Sequence, residues 1–164
     1  MRLYIMRHGP AEDQSPSGQD TDRALSLSGR ERVRNVARLL AEADEAPLQI
    51  VTSHLVRAVQ TAEIVAIVTQ LAERGGMVEV RRELAPSSDA VALARQFIDE
   101  GRKRVLLVGH EPDLSGLAAA LLGRFERGLD KAMVLGLHVG GDSPTRLRFV
   151  LDPKTLSLTP DPRD

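Results

Sequence analysis

Between Arg104 and Gly109 the chain reads Arg-Val-Leu-Leu-Val-Gly, four consecutive apolar residues with no polar interruption. A strand with one wet face alternates apolar and polar residues, so an unbroken apolar strand has to be covered on both faces. Covering both faces of a sheet with helices requires crossover connections, and these make neighbouring strands parallel. The rest of the chain has the parts for such a sheet. Extended segments are expected at Arg2 to Met6, Leu48 to Ser53 and Met77 to Arg82, and a C-terminal pair at Met133 to Val139 and Thr145 to Leu151, joined by the turn-rich Gly-Gly-Asp-Ser-Pro.

Helical periodicity fills the intervals. Val33, Val36, Ala37 and Leu40 mark a first helix, with Ser28 and Glu31 spaced as a capping box and Ser26 as a rival cap. Ala58, Ala62, Val65 and Thr69 mark a second, stopped by Gly75 and Gly76. Val91, Ala94, Phe97 and Ile98 mark a third, ended by Gly101; Leu114, Leu117, Ala118 and Leu121 mark a fourth, with Gly123 as its C-cap. The expected fold class is α/β: a three-layer sandwich with a mainly parallel central sheet, helices on both faces and a C-terminal antiparallel hairpin. Pro10 to Arg23 has no periodicity and reads as a surface loop. No repeat or interdomain linker interrupts the pattern, so one domain is expected over residues 1–158, followed by a frayed tail at 159–164.

A domain of 164 residues buries roughly 70% of the surface its unfolded chain would expose, so it needs no staple. The absence of cysteine removes disulfides, thiol catalysis and thiolate zinc sites. The apolar run before Arg7 is too brief for a secretory core, and no stretch approaches the ~20 apolar residues of a membrane span. A soluble, cytoplasmic protein is expected. Twenty-two basic against 23 acidic residues and 2% aromatics give neither footprint of a nucleic-acid binder.

In a parallel sheet, ligands bind beyond the carboxyl ends of the strands. The first strand ends in Arg7, His8 and Gly9; the second in Thr52, Ser53 and His54, with Arg57 in the turn that follows; the third leads to Glu83; the fourth to Gly109, His110 and Glu111. Two arginines and two histidines are thus expected at one rim. Forked guanidinium donors match phosphoryl oxygens, and neighbouring positive charge keeps an imidazole neutral and nucleophilic.

Arg7-His8-Gly9 after an N-terminal strand, Thr-Ser-His-Leu-Val-Arg-Ala-Val-Gln-Thr-Ala with Ser53, Arg57 and Thr61, and Val-Gly-His-Glu-Pro-Asp-Leu-Ser with His110 together resemble the histidine phosphatase superfamily. The small phosphohistidine phosphatases of the SixA type are the nearest likeness. The resemblance implies that His8 is a phosphorylated nucleophile, that Arg7, Arg57 and His110 hold the phosphoryl group, that Arg23 extends the pocket, and that Glu83 is a candidate proton donor. It also implies a metal-independent phosphatase without a cofactor. The substrate would be a phosphorylated protein, a histidine phosphotransfer domain among the candidates, or a small phosphoester. A phosphohistidine releases imidazole, with an ordinary pKa near 6.5, and needs less acid assistance than an ester. The short interval between Arg57 and His110 leaves little sequence for a cap over the pocket, which favours a phosphoprotein.

Blander readings apply elsewhere. His54 is expected in an exposed loop and His138 on the sheet surface. Glu111 and Asp113 suit a helix N-terminus, and Ser53 suits either a strand-end turn or the site. A phosphate-dependent binding module with a misaligned nucleophile is the non-catalytic alternative.

Overall fold

The computed structural model describes residues 1–141 and 143–161. Its elements follow the chain as β1 (Arg2–Arg7), α1 (Leu27–Glu42), β2 (Gln49–Thr52), α2 (Val56–Val68), β3 (Met77–Val80), α3 (Ala90–Asp99), β4 (Arg104–Gly109), α4 (Asp113–Leu122), β5 (Val134–His138), β6 (Arg146–Asp152) and β7 (Ser157–Pro160). Among the described residues one seven-stranded sheet runs in the order β3-β2-β4-β1-β5-β6-β7. The β3, β2, β4 and β1 strands are parallel, and β5, β6 and β7 add antiparallel pairs. This is the expected α/β class, with its parallel centre and C-terminal hairpin.

The apolar β4 behaves as its composition requires. Val105 and Leu107 enter one core with Leu3 and Ile5 of β1, while Leu106 and Val108 enter the opposite core with Tyr4 and Met6. The first core is roofed by Leu93, Ala94 and Phe97 of α3 and Leu114, Leu117 and Ala118 of α4; the second by Val33, Val36 and Leu40 of α1 and Ala58, Ala62 and Val65 of α2. Two-sided burial of alternate residues is what makes β1 and β4 read as unbroken apolar runs. No helix among the described residues is long and apolar enough to cross a membrane.

Several boundaries differ from expectation. Ser26, not Ser28, caps α1, its side chain accepting the Gly29 N–H at 3.0 Å. Arg57 lies inside the first turn of α2 rather than in the turn before it. β3 stops at Val80, after which residues 82–84 form a 3-10 turn carrying Glu83. Gly123 does end α4, in a left-handed conformation with φ of 76°. The tail expected to fray from Thr159 instead contributes Thr159 and Pro160 to β7, which pairs with Val150 and Phe149 of β6, and the Asp161 N–H donates to the Arg148 carbonyl. Ser-Leu-Thr-Pro has little strand signal of its own; its pairing comes from the open edge of β6. Pro162 to Asp164 of that tail, and Asp142 in the turn joining β5 and β6, lie outside the described residues.

Candidate active site

Parallel pairing in register aligns the carboxyl ends of β1 and β4. Arg7 sits opposite Gly109, and the His8 N–H continues the ladder to the Gly109 carbonyl at 3.1 Å. His8 and His110 therefore leave adjacent strands at the same height, their ring centroids 5.1 Å apart. The first turn of α2 brings Arg57 to the same point. These residues and Arg7 line one cavity of about 350 Å³, with Arg23, Asp20, Glu111 and Lys131 at its walls.

The cavity floor depends on close approach between β1's end and α1. The Gly9 N–H donates to Thr61 Oγ1 of α2 at 3.1 Å. A Cβ on Gly9 would meet Val33 Cγ2 at 2.6 Å, and one on Gly29 would meet the Pro10 carbonyl oxygen at 1.9 Å. Both glycines let helix and loop touch backbone to backbone. At Gly9 it is α1 that demands the missing side chain.

The tautomer of His8 follows from its partners. Nδ1 lies 2.7 Å from the Gly9 carbonyl oxygen, which only accepts, so Nδ1 carries the proton. Nε2 then holds the lone pair, and the Arg57 Nε–H donates to it at 3.3 Å. Burial, and next the charges of Arg57, Arg7 and Lys131, push the His8 pKa down to about 4, against an opposing contribution from the Gly9 carbonyl. The imidazole is neutral at pH 7. Arginine charge was expected to do this, yet desolvation is the larger cause.

His110 Nε2 is 2.6 Å from Ser53 Oγ. That oxygen also accepts the Leu55 N–H at 3.4 Å, and as a hydroxyl it keeps both a hydrogen and a second lone pair with which to meet Nε2. His110 Nδ1 is buried without a partner among the described residues. Burial, then the charges of His8 and Arg57, push the His110 pKa down to about 3. Arg7 donates Nη1 to the Leu129 carbonyl at 2.9 Å, while its buried Nε has no partner. An unmet buried donor such as Arg7 Nε costs about 1–3 kcal/mol, which a ligand oxygen can recover.

Among the residues expected at the site, Arg7, His8, Arg57, His110 and Arg23 meet around this cavity. Glu83 does not line it. Its carboxylate is ion-paired with Arg81 of the same strand end, and that hydrogen bond holds its pKa below the usual carboxylate range. Glu111, read as a helix-terminus residue, both accepts the Ser115 N–H at 3.0 Å and faces the cavity. His54 is exposed, as expected. Sequence reasoning passed over Asp20 and Lys131. Asp20 lies in the aperiodic loop, where its only signal is its position three residues before Arg23.

The family model for the histidine phosphatase superfamily, branch 1, matches residues 3–84, the half of the chain that holds Arg7, His8 and Arg57. The chain belongs to the histidine phosphatase superfamily. An uncharacterized protein of Picosynechococcus sp. is 36% identical over 146 residues, covering 85% of this chain and 86% of its own. The protein histidine phosphatase SixA, in a complex with tungstate, superposes with a TM-score of 0.85 at 25% identity, covering 96% of this chain and all of its own. A mycobacterial glucosyl-3-phosphoglycerate phosphatase shares the fold, with a TM-score of 0.69 at 21% identity over 89% of this chain and 96% of its own. Superfamily membership makes the chain phosphatase-like; these relatives act on proteins in one case and on a small molecule in the other.

Proposed function

We propose that this histidine phosphatase is a phosphohistidine phosphatase that dephosphorylates a protein through a covalent intermediate on His8. The observation that carries the reading is the state of His8: Nδ1–H is anchored on the Gly9 carbonyl, and a neutral Nε2 faces a cavity walled by Arg7, Arg57 and His110.

In the first step Nε2 attacks phosphorus and the bond from phosphorus to the substrate's ring nitrogen breaks, the proton on that ring's other nitrogen letting it leave as neutral imidazole. Nδ1–H keeps its bond to the Gly9 carbonyl, which steadies the cationic ring of phospho-His8. Arg7, Arg57 and His110, in the tautomer with the proton on Nδ1, bind the equatorial oxygens as charge spreads over them. In the second step water attacks phosphorus, His8 is released with its lone pair, and inorganic phosphate departs.

The leaving group supports the choice of substrate. Glu83 is tied to Arg81, and Asp20 is tied to two arginines, which leaves neither carboxyl suited to donate a proton. Imidazole leaves with little assistance, whereas an alkoxide needs a general acid contributing ~10²–10⁴-fold. Glu111, at the cavity wall, favours the second reading, a small phosphomonoester with Glu111 as donor. Metal independence belongs to the proposal: two arginines in the cavity oppose a divalent cation, and turnover should withstand chelators.

The test is phosphate release from a phosphohistidine-bearing protein beside a panel of phosphomonoesters, with wild type and His8→Ala. Preference for the phosphoprotein, together with an acid-labile phosphoenzyme absent from His8→Ala, supports the proposal. Preference for an ester, lost in Glu111→Gln, moves the substrate to small molecules. Near-normal turnover by His8→Ala overturns the mechanism.

A further inference from the structure

Each nitrogen of the Arg57 guanidinium already holds a partner within the protein. Its Nε–H caps the lone pair of His8, the atom that has to attack. On its other side Nη1 donates to the Asp20 main-chain carbonyl at 2.8 Å and Nη2 to Asp20 Oδ2 at 3.1 Å. The paired N–H groups that would grip a phosphoryl group are therefore turned toward a nucleophile and a carboxylate.

Asp20 is well placed to give way. Its side chain is 65% exposed, while that of Arg57 is 6% exposed. The second carboxylate oxygen, Oδ1, accepts from Arg23 Nε at 2.9 Å. Arg23 in turn donates Nη1 to the Glu12 carbonyl at 3.1 Å, which braces it against the loop. When Oδ2 leaves Arg57, Oδ1 can stay on Arg23, so the carboxylate has a second seat and need not be stranded.

From this arrangement we infer that Asp20 is a latch: its carboxylate occupies Arg57 in place of a phosphoryl group, and an incoming phosphoryl dianion displaces it toward Arg23, turning Arg57 off the His8 lone pair and onto the ligand. Phosphate is a better partner for a guanidinium than a half-exposed carboxylate, because it offers more charge and more acceptor oxygens. The latch thus makes exposure of the nucleophile conditional on a phosphoryl group being present. Other small anions, with one negative charge, compete less well with Asp20. Arg23 acts as the anchor of the open latch, a positioning role, and this accounts for its place at the wall of the cavity.

The inference rests on reading the cavity as a phosphoryl site, and its test does not depend on turnover. Binding of inorganic phosphate and of orthovanadate is measured by calorimetry for wild type, Asp20→Ala, Asp20→Asn and Asp20→Glu. Asp22→Asn serves as control, since Asp22 lies on the same short turn but accepts from Ser17 and Thr21 rather than from an arginine. Asp20→Ala is expected to bind phosphate about fivefold more tightly, Asp20→Asn less so, and Asp20→Glu to return toward wild type. Asp22→Asn should match wild type. In turnover, Asp20→Ala should lower KM more than it changes kcat and strengthen inhibition by product phosphate. Equal or weaker phosphate binding by Asp20→Ala overturns the latch, as does an equal gain in Asp22→Asn, which would reduce the effect to general charge. Tighter binding in Asp20→Ala, with no wild-type turnover of any phosphorylated substrate, supports the latch and overturns the proposed reaction alone.

Discussion

At the residue scale, chemistry depends on which nitrogen of each histidine carries the proton. The Gly9 carbonyl settles that for His8, and Ser53 fixes the ring position of His110. Ser53→Ala removes the group that orients His110. A lost hydrogen bond of this kind corresponds to about tenfold, expected in kcat with KM little changed. Ser53→Thr, which keeps the hydroxyl, should restore part of it. Steady-state kinetics on the preferred substrate checks both. His8→Ala removes the proposed nucleophile, and kcat should fall at least about 10³-fold, with no acid-labile label on the protein. Arg7, His8 and His110 were legible from the sequence because their positions at strand ends limit what they can reach. Ser53 had two readings and Glu111 was read as structural, since neither residue type nor spacing says which way a side chain points after the strand ends.

At the element scale, the site rests on how closely α1 approaches the loop after β1. The Ser26 cap starts α1 at Leu27 and brings Gly29 against Pro10; the Ser26 N–H also donates to the Pro10 carbonyl at 3.1 Å. Gly29→Ala would put a Cβ 1.9 Å from the Pro10 oxygen, so helix or loop has to move. Overpacking of this sort costs about 1–3 kcal/mol, to be read from a denaturant midpoint. Because His8 and Gly9 directly precede the displaced segment, activity should drop by more than the lost stability explains. Ser26→Ala removes the cap and a long 3.4 Å hydroxyl bond to the Pro10 carbonyl but keeps the Ser26 N–H bond to it, and should cost about 1 kcal/mol while leaving kcat near wild type. Together the two variants separate helix stability from helix placement. The helix was legible from Val33, Val36, Ala37 and Leu40. Its cap was ambiguous because Ser26 and Ser28 both precede the apolar stripe, and the choice falls to whichever start lets Gly29 meet Pro10.

At the scale of the whole molecule, burying two neutral histidines ties stability to pH. The folded pKa values are about 4 for His8 and about 3 for His110, against an ordinary 6.5 in the unfolded chain. Between those limits the unfolded state binds more protons, so stability rises with pH there and is lost as pH falls from about 6.5 toward 4, with uptake approaching two protons on unfolding. A urea series at several pH values should show this slope, and His8→Gln with His110→Gln should flatten it. Glu45 acts in a lower window. It is buried against Tyr4 and a bidentate Arg148. Desolvation opposes the shift, but these hydrogen bonds hold its pKa below the usual carboxylate range, so its contribution is present above about 4.5 and is lost at lower pH. The slope remaining below pH 4.5 in the double histidine variant therefore includes Glu45.

The sequence alone determined the α/β class, because an unbroken apolar strand such as β4 admits few ways of being covered, and it determined that Arg7, His8 and His110 stand at strand ends. Periodicity and strand termini are local properties, readable from neighbours a few residues apart. Tertiary structure decided the rest. It turned Ser-Leu-Thr-Pro into β7 by offering the edge of β6, moved Glu83 out of contention by pairing it with Arg81, and placed Asp20 on Arg57 across 37 residues of sequence. Only the Asp20 contact reaches a partner distant in sequence, but in all three several partners were available, and a side chain's choice among them is made only when the fold brings one within reach.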